Sequence, residues 1–196
     1  MYTVTLLSSP KAPRLETSLL GALQTAWGGG DARWLAPNEA AEFEIGQKPA
    51  NQWDVWSNVQ ALGVDLVVQP TEGRRKKMLL ADMDSTMINE ECIDELAEVA
   101  GVGAYVKEIT AKAMNGELDF EGALTERVAL LAGLDEAIIA QVLAERITLM
   151  SGGPALLATM KAHGAYAALV SGGFTAFTAA IAAKLGFDEN RANILF

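Results

Sequence analysis

Only one cysteine, Cys92, and one histidine, His163, occur in the 196 residues. A single thiol forbids an intrachain disulfide, and with it the usual economy of a small secreted domain. A single imidazole excludes a multi-histidine metal site. His163 stands just before Gly164 at a helix end, a favourable place for a cation, so a histidine-based catalytic triad is set aside too. Basic residues are scarce, 15 Lys and Arg against 25 Asp and Glu, for a net charge of −10. That balance disfavours nucleic acid, whose binding rests on cations meeting phosphates, and it disfavours an anionic membrane surface. No apolar run approaches the ~20 residues that span a bilayer, and the start, MYTVTLLSSPKAP, lacks a charged lead and a long apolar centre. A cytoplasmic protein is the expectation. There are no convincing internal repeats and no low-complexity tracts.

What is present is a packed-globule composition, 51% hydrophobic and 20% charged. Residues 1–75 read as β-α-β-β-α-β. YTVTLLSS is strand-like, LETSLLGALQTAW has helical apolar spacing, and Gly28, Gly29 and Gly30 stop it. ARWLAP and AAEFEIG suit short strands, NQWDVWSNVQALG a second helix, and VDLVVQP a last strand. This order predicts a small ferredoxin-like, ACT-like module. All four tryptophans lie in it. Core or interface packing accounts for them, with an aromatic ligand site as the alternative. The basic knot Arg74-Arg75-Lys76-Lys77 reads as a solvated linker.

From residue 76 the rhythm changes. A strand at 76–87 leads into a helical block at 88–150, and 151–196 returns to helix, strand, helix and the start of a strand at ANILF. A strand, an inserted helical cap and then αβα is the pattern of an open, Rossmann-type parallel sheet with a lid. In such sheets ligands bind beyond the carboxyl ends of the strands. Asp82 falls at such an end, and Asp84 follows two residues later. A carboxylate there can attack phosphorus. Two unit charges about 4 Å apart repel by roughly 4 kcal/mol at an effective dielectric near 20, so a cation such as Mg²⁺ must neutralise the approach. A second carboxyl group can carry the proton for the leaving alkoxide. The plain alternative is that Asp84 caps the helix that follows.

A second loop, Ser171-Gly172-Gly173, reads as a strand-to-helix turn. Its glycines let the backbone approach an anion, and the helix N-terminus favours a phosphate there. Taken alone, S-G-G marks only an ordinary turn. Asp94, Glu95 and Glu98 form an acidic stripe that reads as a solvated face. Arg127, among Leu124, Val128, Leu130 and Leu131, either snorkels along the surface or offers its planar fork to a carboxylate. Cys92 reads as packing.

The segment ADMDSTMINEECIDELA resembles the D-x-D-x-T nucleophile motif of the haloacid dehalogenase (HAD) superfamily. It is similar in particular to the branch that hydrolyses O-phosphoserine, as are ITAKAMNGELDFEGALTERVALL and VSGGFTAF, in that order along 76–196. The resemblance implies a HAD-like core at 76–87 and 151–196, a helical cap at 88–150, and an incomplete core. It implies Mg²⁺ at Asp82 and Asp84, with Asp82 as phosphoryl acceptor and Asp84 as general acid and base, and Thr86 shaping the turn near the phosphate. It implies further that Glu91 meets the substrate ammonium and Arg127 the substrate carboxylate. Met114 and Phe120 would line the cap side, with Ser171 and Gly172 on the phosphate. The expected activity is release of L-serine and phosphate from O-phospho-L-serine, in serine synthesis. Rival readings are a phosphatase or phosphotransferase for another small phosphomonoester, and a non-catalytic amino-acid-sensing module. A homodimer is left open. The family also carries a later lysine and a metal-binding aspartate. LGFDENRANILF supplies neither, and Lys184, inside a helix, is a poor substitute. The expectation is therefore a fragment with weak metal binding and little turnover.

Overall fold

Alternation starts the first unit. Along β1 (Tyr2–Ser8), Val4 and Leu6 turn to one face and are fully buried. α1 (Thr17–Ala26) buries Leu20 and Leu23, and β2 (Arg33–Ala36) and β3 (Ala40–Ile45) follow. α2 (Gln52–Gln60) and β4 (Val64–Pro70) complete it. The sheet runs β2-β3-β1-β4, with every neighbouring pair antiparallel. Ala41, Phe43, Ile45, Val59, Val64 and Leu66 close the core beneath the helices. Trp27, Trp34 and Trp56 pack against that core, while Trp53 is 65% exposed and meets Trp56 edge to face. The basic knot is not wholly solvated. Arg74 bonds the Glu42 carboxylate at 2.7 Å alongside Arg33, because a half-buried acid needs a partner.

The chain divides into two compact units, Met1–Arg75 and Lys76–Phe196. This computed structural model describes residues 1–195, and the side chains of Met114 and Phe120 lie outside the described residues. The second unit opens with β5 (Met78–Ala81). Four helices come next: α3 (Cys92–Val99), α4 (Gly103–Met114), α5 (Phe120–Ala129) and α6 (Ala137–Glu145). After them α7 (Gly153–Ala162), β6 (Tyr166–Phe174), α8 (Thr175–Leu185) and β7 (Glu189–Asn193) restore the alternation. The three strands form a parallel sheet in the order β5-β6-β7. Met83, Met87, Ile88, Leu169, Phe174, Phe177 and Ile181 make its core. The inserted helices leave and rejoin the sheet at one place. Ile88 bridges Leu149, the Asn89 N–H donates to the Thr148 carbonyl at 3.1 Å, and the Met150 N–H donates to the Met87 carbonyl at 3.0 Å.

Two sequence expectations shift. The last strand is Glu189–Asn193, not ANILF, of which only Ala192 and Asn193 belong to it. Among the described residues β7 pairs only with β6, and polar residues form it there, so hydrophobicity was the wrong guide. Ser171-Gly172-Gly173 is not a turn, because β6 runs through it to Phe174, and α8 starts at Thr175. Neither glycine has a positive φ. Pairing with β7 slips out of register between Val170 and Phe174, which absorbs the irregularity without ending the strand. Among the described residues no helix is long and apolar enough to cross a membrane.

Candidate active site

β5 stops at Ala81 because the chain turns sharply there. The Met83 carbonyl accepts from the N–H groups of Thr86, Met87 and Ile88, and Ser85 takes a left-handed φ of 50°. Such a conformation is uncommon outside glycine. Asp82 and Asp84 stand two residues apart, the spacing that strand alternation itself turns to one face, and the left-handed residue of the turn, Ser85, comes only after them.

Asp82 is exposed, and its Oδ1 accepts from the Met83 N–H at 2.7 Å. No described donor bonds its other oxygen. Asp84 is tied twice. Its Oδ1 accepts from the Cys92 N–H at 2.8 Å and its Oδ2 from the Ser171 hydroxyl at 3.1 Å. The capping alternative therefore holds in part: Asp84 satisfies the first N–H of α3, a helix end that favours a negative charge. It also joins that helix to the end of β6. Ser171 is buried, and its Oγ accepts from the Gly173 N–H at 2.9 Å. Its hydroxyl is thus turned to Asp84 here, and the expected anion cradle of free N–H groups is narrowed, because the Gly173 N–H is taken.

Glu91 stands at the N-cap of α3, one residue before the helix, and its Oε1 accepts from the Ser85 hydroxyl at 2.7 Å. Arg127 enters from α5 with its Nε donating to the Ala123 carbonyl at 3.2 Å. Asp82, Asp84, Glu91, Arg127, Ser171 and Gly172 line one cavity of about 210 Å³, with Ile93, Leu124, Gly173 and Phe174. Six of the nine residues singled out in the sequence thus meet, while Thr86 is not on the wall and donates its N–H to the Met83 carbonyl at 3.2 Å in the turn. The other two, Met114 and Phe120, have side chains outside the described residues. Of the added residues, Leu124 precedes Arg127 by one turn of the same helix, a spacing that could have flagged it. Ile93 and Phe174 carried no signal beyond hydrophobicity. Among the described residues Arg127 is the one cation on the cavity wall. Lys184 is exposed in the last turn of α8.

Gly173 is needed for space, not for backbone freedom. A Cβ there would sit 3.0 Å from Asp84 Oδ2 and 3.2 Å from Ser171 Oγ. Gly173→Ala is expected to pry these two apart and to cost about 1–3 kcal/mol, as overpacking does. Urea unfolding of both proteins measures it, and an unchanged midpoint would mean that the neighbours yield freely.

Other readings settle. Cys92 is buried, and burial, aided by the nearby Asp84 charge, pushes its thiol pKa upward, so it stays protonated packing. His163 caps α7 with its Nδ1 on the Thr159 carbonyl at 2.8 Å. The acidic stripe is not simply solvated. Glu95 pairs with Arg146 at 2.6 Å, Glu98 with Lys107 at 2.7 Å, and Asp94 is half-buried. α3 packs against α4 and α6, which brings their cations onto it.

Among the described residues no group of three or more His, Cys, Asp or Glu is arranged to hold a metal. Two hard oxygens are nevertheless left unbonded by described donors, one on the Asp82 carboxylate and the Asp84 backbone carbonyl. Such a set fits Mg²⁺, which keeps several waters and commonly takes one or two carboxylates with phosphate oxygens.

The chain is 44% identical over 138 residues to a phosphoserine phosphatase of Archaeoglobus fulgidus, covering 69% of this chain and 40% of that protein. A HAD family hydrolase from Salmonella enterica serovar Typhi superposes with a TM-score of 0.83 at 26% identity, covering 100% of this chain and 68% of that one. A phospho-aspartyl intermediate analogue of phosphoserine phosphatase aligns with a TM-score of 0.57 at 42% identity, over 63% of this chain and 58% of that one. The chain spans about half or less of the length of the first curated relatives it matches, 33% to 55%. The family model described as haloacid dehalogenase-like hydrolase matches residues 79–195, taking in both the Asp82 turn and the Ser171 strand end. A parallel sheet with an aspartate pair at the mouth of its first strand, matched over that whole span, places the chain in the haloacid dehalogenase-like hydrolase family.

Proposed function

We propose that this chain carries the substrate site of an Mg²⁺-dependent phosphomonoesterase acting on O-phospho-L-serine through an aspartyl-phosphate. The observation that carries the reading is the 210 Å³ cavity lined by two adjacent aspartates, a third carboxylate, one guanidinium and a serine hydroxyl. A phosphate, an ammonium and a carboxylate on one small molecule call for that set. The phosphoserine phosphatases among the relatives support the same substrate.

The free oxygen of Asp82 attacks phosphorus as the bond from phosphorus to the serine oxygen breaks. Met83 holds the other carboxylate oxygen, which fixes the direction of attack. Asp84, in its protonated form, gives its proton to the departing serine oxygen. Water then attacks phosphorus, Asp84 takes back a proton, and the bond from phosphorus to Asp82 breaks, restoring both groups. Ser171, whose hydroxyl can rotate, orients Asp84 and donates to a phosphoryl oxygen when one is present. Glu91 meets the ammonium and Arg127 the carboxylate. A bound Mg²⁺, held by Asp82 and the Asp84 carbonyl, would offset the charge of the incoming phosphate.

In the same reading the helices of 88–150 are a cap over a HAD core made by 76–87 and 151–196, and residues 1–75 are a ferredoxin-like, ACT-like domain. The test is trapping. Fluoroberyllate with Mg²⁺ is expected to bind stoichiometrically, protecting Asp82 and raising the melting temperature, with competition from O-phosphoserine. Absence of any fluoroberyllate effect in the presence of Mg²⁺ would sink the acyl-phosphate reading.

A further inference from the structure

Glu90 is not on the cavity wall, but its bonds lead there. Its half-buried side chain reaches the segment by which the chain returns from the inserted helices, 58 residues away. Oε2 accepts from the Thr148 N–H at 2.8 Å and Oε1 from the Thr148 hydroxyl at 2.5 Å. The same hydroxyl accepts from the Asn89 side-chain amide at 2.8 Å, which leaves its own proton for Glu90. Burial raises the Glu90 pKa, but the Thr148 hydroxyl and N–H outweigh it and hold the carboxyl below its usual range. Both bonds are therefore charge-assisted, the stronger kind.

The backbone of Glu90 faces the other way. Its carbonyl accepts from the Ser85 N–H at 3.2 Å, inside the turn that carries Asp84. Two more bonds run beside it, from the Ser85 hydroxyl to Glu91 Oε1 at 2.7 Å and from the Cys92 N–H to Asp84 Oδ1 at 2.8 Å. Residues 90–92 are thus bonded three times to residues 84 and 85, and Glu90 adds the grip on Thr148. Glu91 is exposed, and among the described residues the Ser85 hydroxyl is the one donor on its carboxylate. A long side chain so lightly held stands where its backbone puts it. We propose that Glu90 is a positioning residue: by gripping Thr148 it fixes residues 90–92 against the Asp84 turn, so that the Glu91 carboxylate stands where a substrate ammonium meets it. It thereby sets selectivity for phosphomonoesters that bear an amine. The proposal rests on the function proposed above.

The test uses the whole chain and two readouts. Amide hydrogen exchange follows the Ser85 and Cys92 N–H groups without ligand. Calorimetry with Mg²⁺ compares O-phosphoserine with hydracrylate phosphate, the same molecule without its amine. Glu90→Ala is expected to speed exchange at both N–H groups about tenfold and to weaken phosphoserine binding about tenfold, while binding of the amine-free probe changes by less than about twofold. Thr148→Val keeps the N–H but loses the hydroxyl, and should move both readouts the same way by less. Thr148→Ser keeps both donors and should match the parent. In a Thr148→Val background Glu90→Ala should cost less than it does alone, as coupled partners do. Parental exchange and parental phosphoserine binding in Glu90→Ala would overturn the proposal and leave the function standing. Equal losses for both probes would mark a merely structural role and also overturn it. A parental chain that does not prefer phosphoserine to the amine-free probe would overturn the proposed function and this proposal together.

Discussion

Replacing Asp82 with asparagine, in a parental protein extended to the length of its relatives, is expected to lower phosphoryl transfer from O-phosphoserine by about 10⁴-fold or more, the scale on which removing a nucleophile acts. The amide keeps the shape and keeps an oxygen to accept the Met83 N–H, so the turn after β5 survives. What is lost is the anionic oxygen that, in the proposed mechanism, bonds phosphorus. Two measurements check this: single-turnover release of phosphate, and mass spectrometry of acid-quenched protein for a phosphoryl adduct on the peptide that holds residue 82. The parent should show the adduct and the variant should not. A variant that still formed it would move the nucleophile elsewhere, and Asp84 would be the first place to look. Because Asp82 is exposed and supports no core packing, a change in melting temperature is not expected.

Asp84 divides into two effects that separate substitutions resolve. Asp84→Asn can still accept the Cys92 N–H through its remaining oxygen, so α3 keeps its bond. It has no acidic proton to give, and a loss of about 10²–10⁴-fold is expected, the usual worth of general acid–base catalysis. The loss should shrink for an aryl phosphate, whose leaving group needs no proton. Asp84→Ala removes both hydrogen bonds at once. It frees the first N–H of α3 and the buried Ser171 hydroxyl, and it should cost about 1–3 kcal/mol of stability besides the activity. Urea unfolding with the two kinetic assays separates the roles. If Asp84→Asn lost nothing on either substrate, Asp84 would be a cap alone.

Much of this site could be read from the chain because its chemistry is local. D-M-D-S-T places two carboxylates within one turn, and the helices that follow announce themselves by apolar spacing and terminal glycines, such as Gly101 and Gly116 with φ near 75° and 77°. What escaped is what depends on neighbours distant in sequence. β7 is made of ENRAN because β6 supplies its partner, not because its residues favour strands. Ser171-Gly172-Gly173 looks like a break, yet β6 carries it through. Gly173 is there because Asp84, 89 residues earlier by number, comes within reach, a constraint no local pattern shows. Arg74 seemed solvated until Glu42 supplied its counter-charge. Asp94 seemed one of a solvated row, and only packing singled it out.

The narrow neck formed by residues 87–89 and 148–150 has a consequence for the order of assembly. Glu90 reaches Thr148 across 58 residues, and everything between is helices whose partners are mostly near in the chain. Local contacts form fast, and closing long loops is slow. As the chain emerges during synthesis, β5 must therefore wait, unpaired, until β6 exists, with Leu79 and Ala81, which pack into the finished core, facing water in the meantime. Those few residues, rather than the helices, are where premature association would begin.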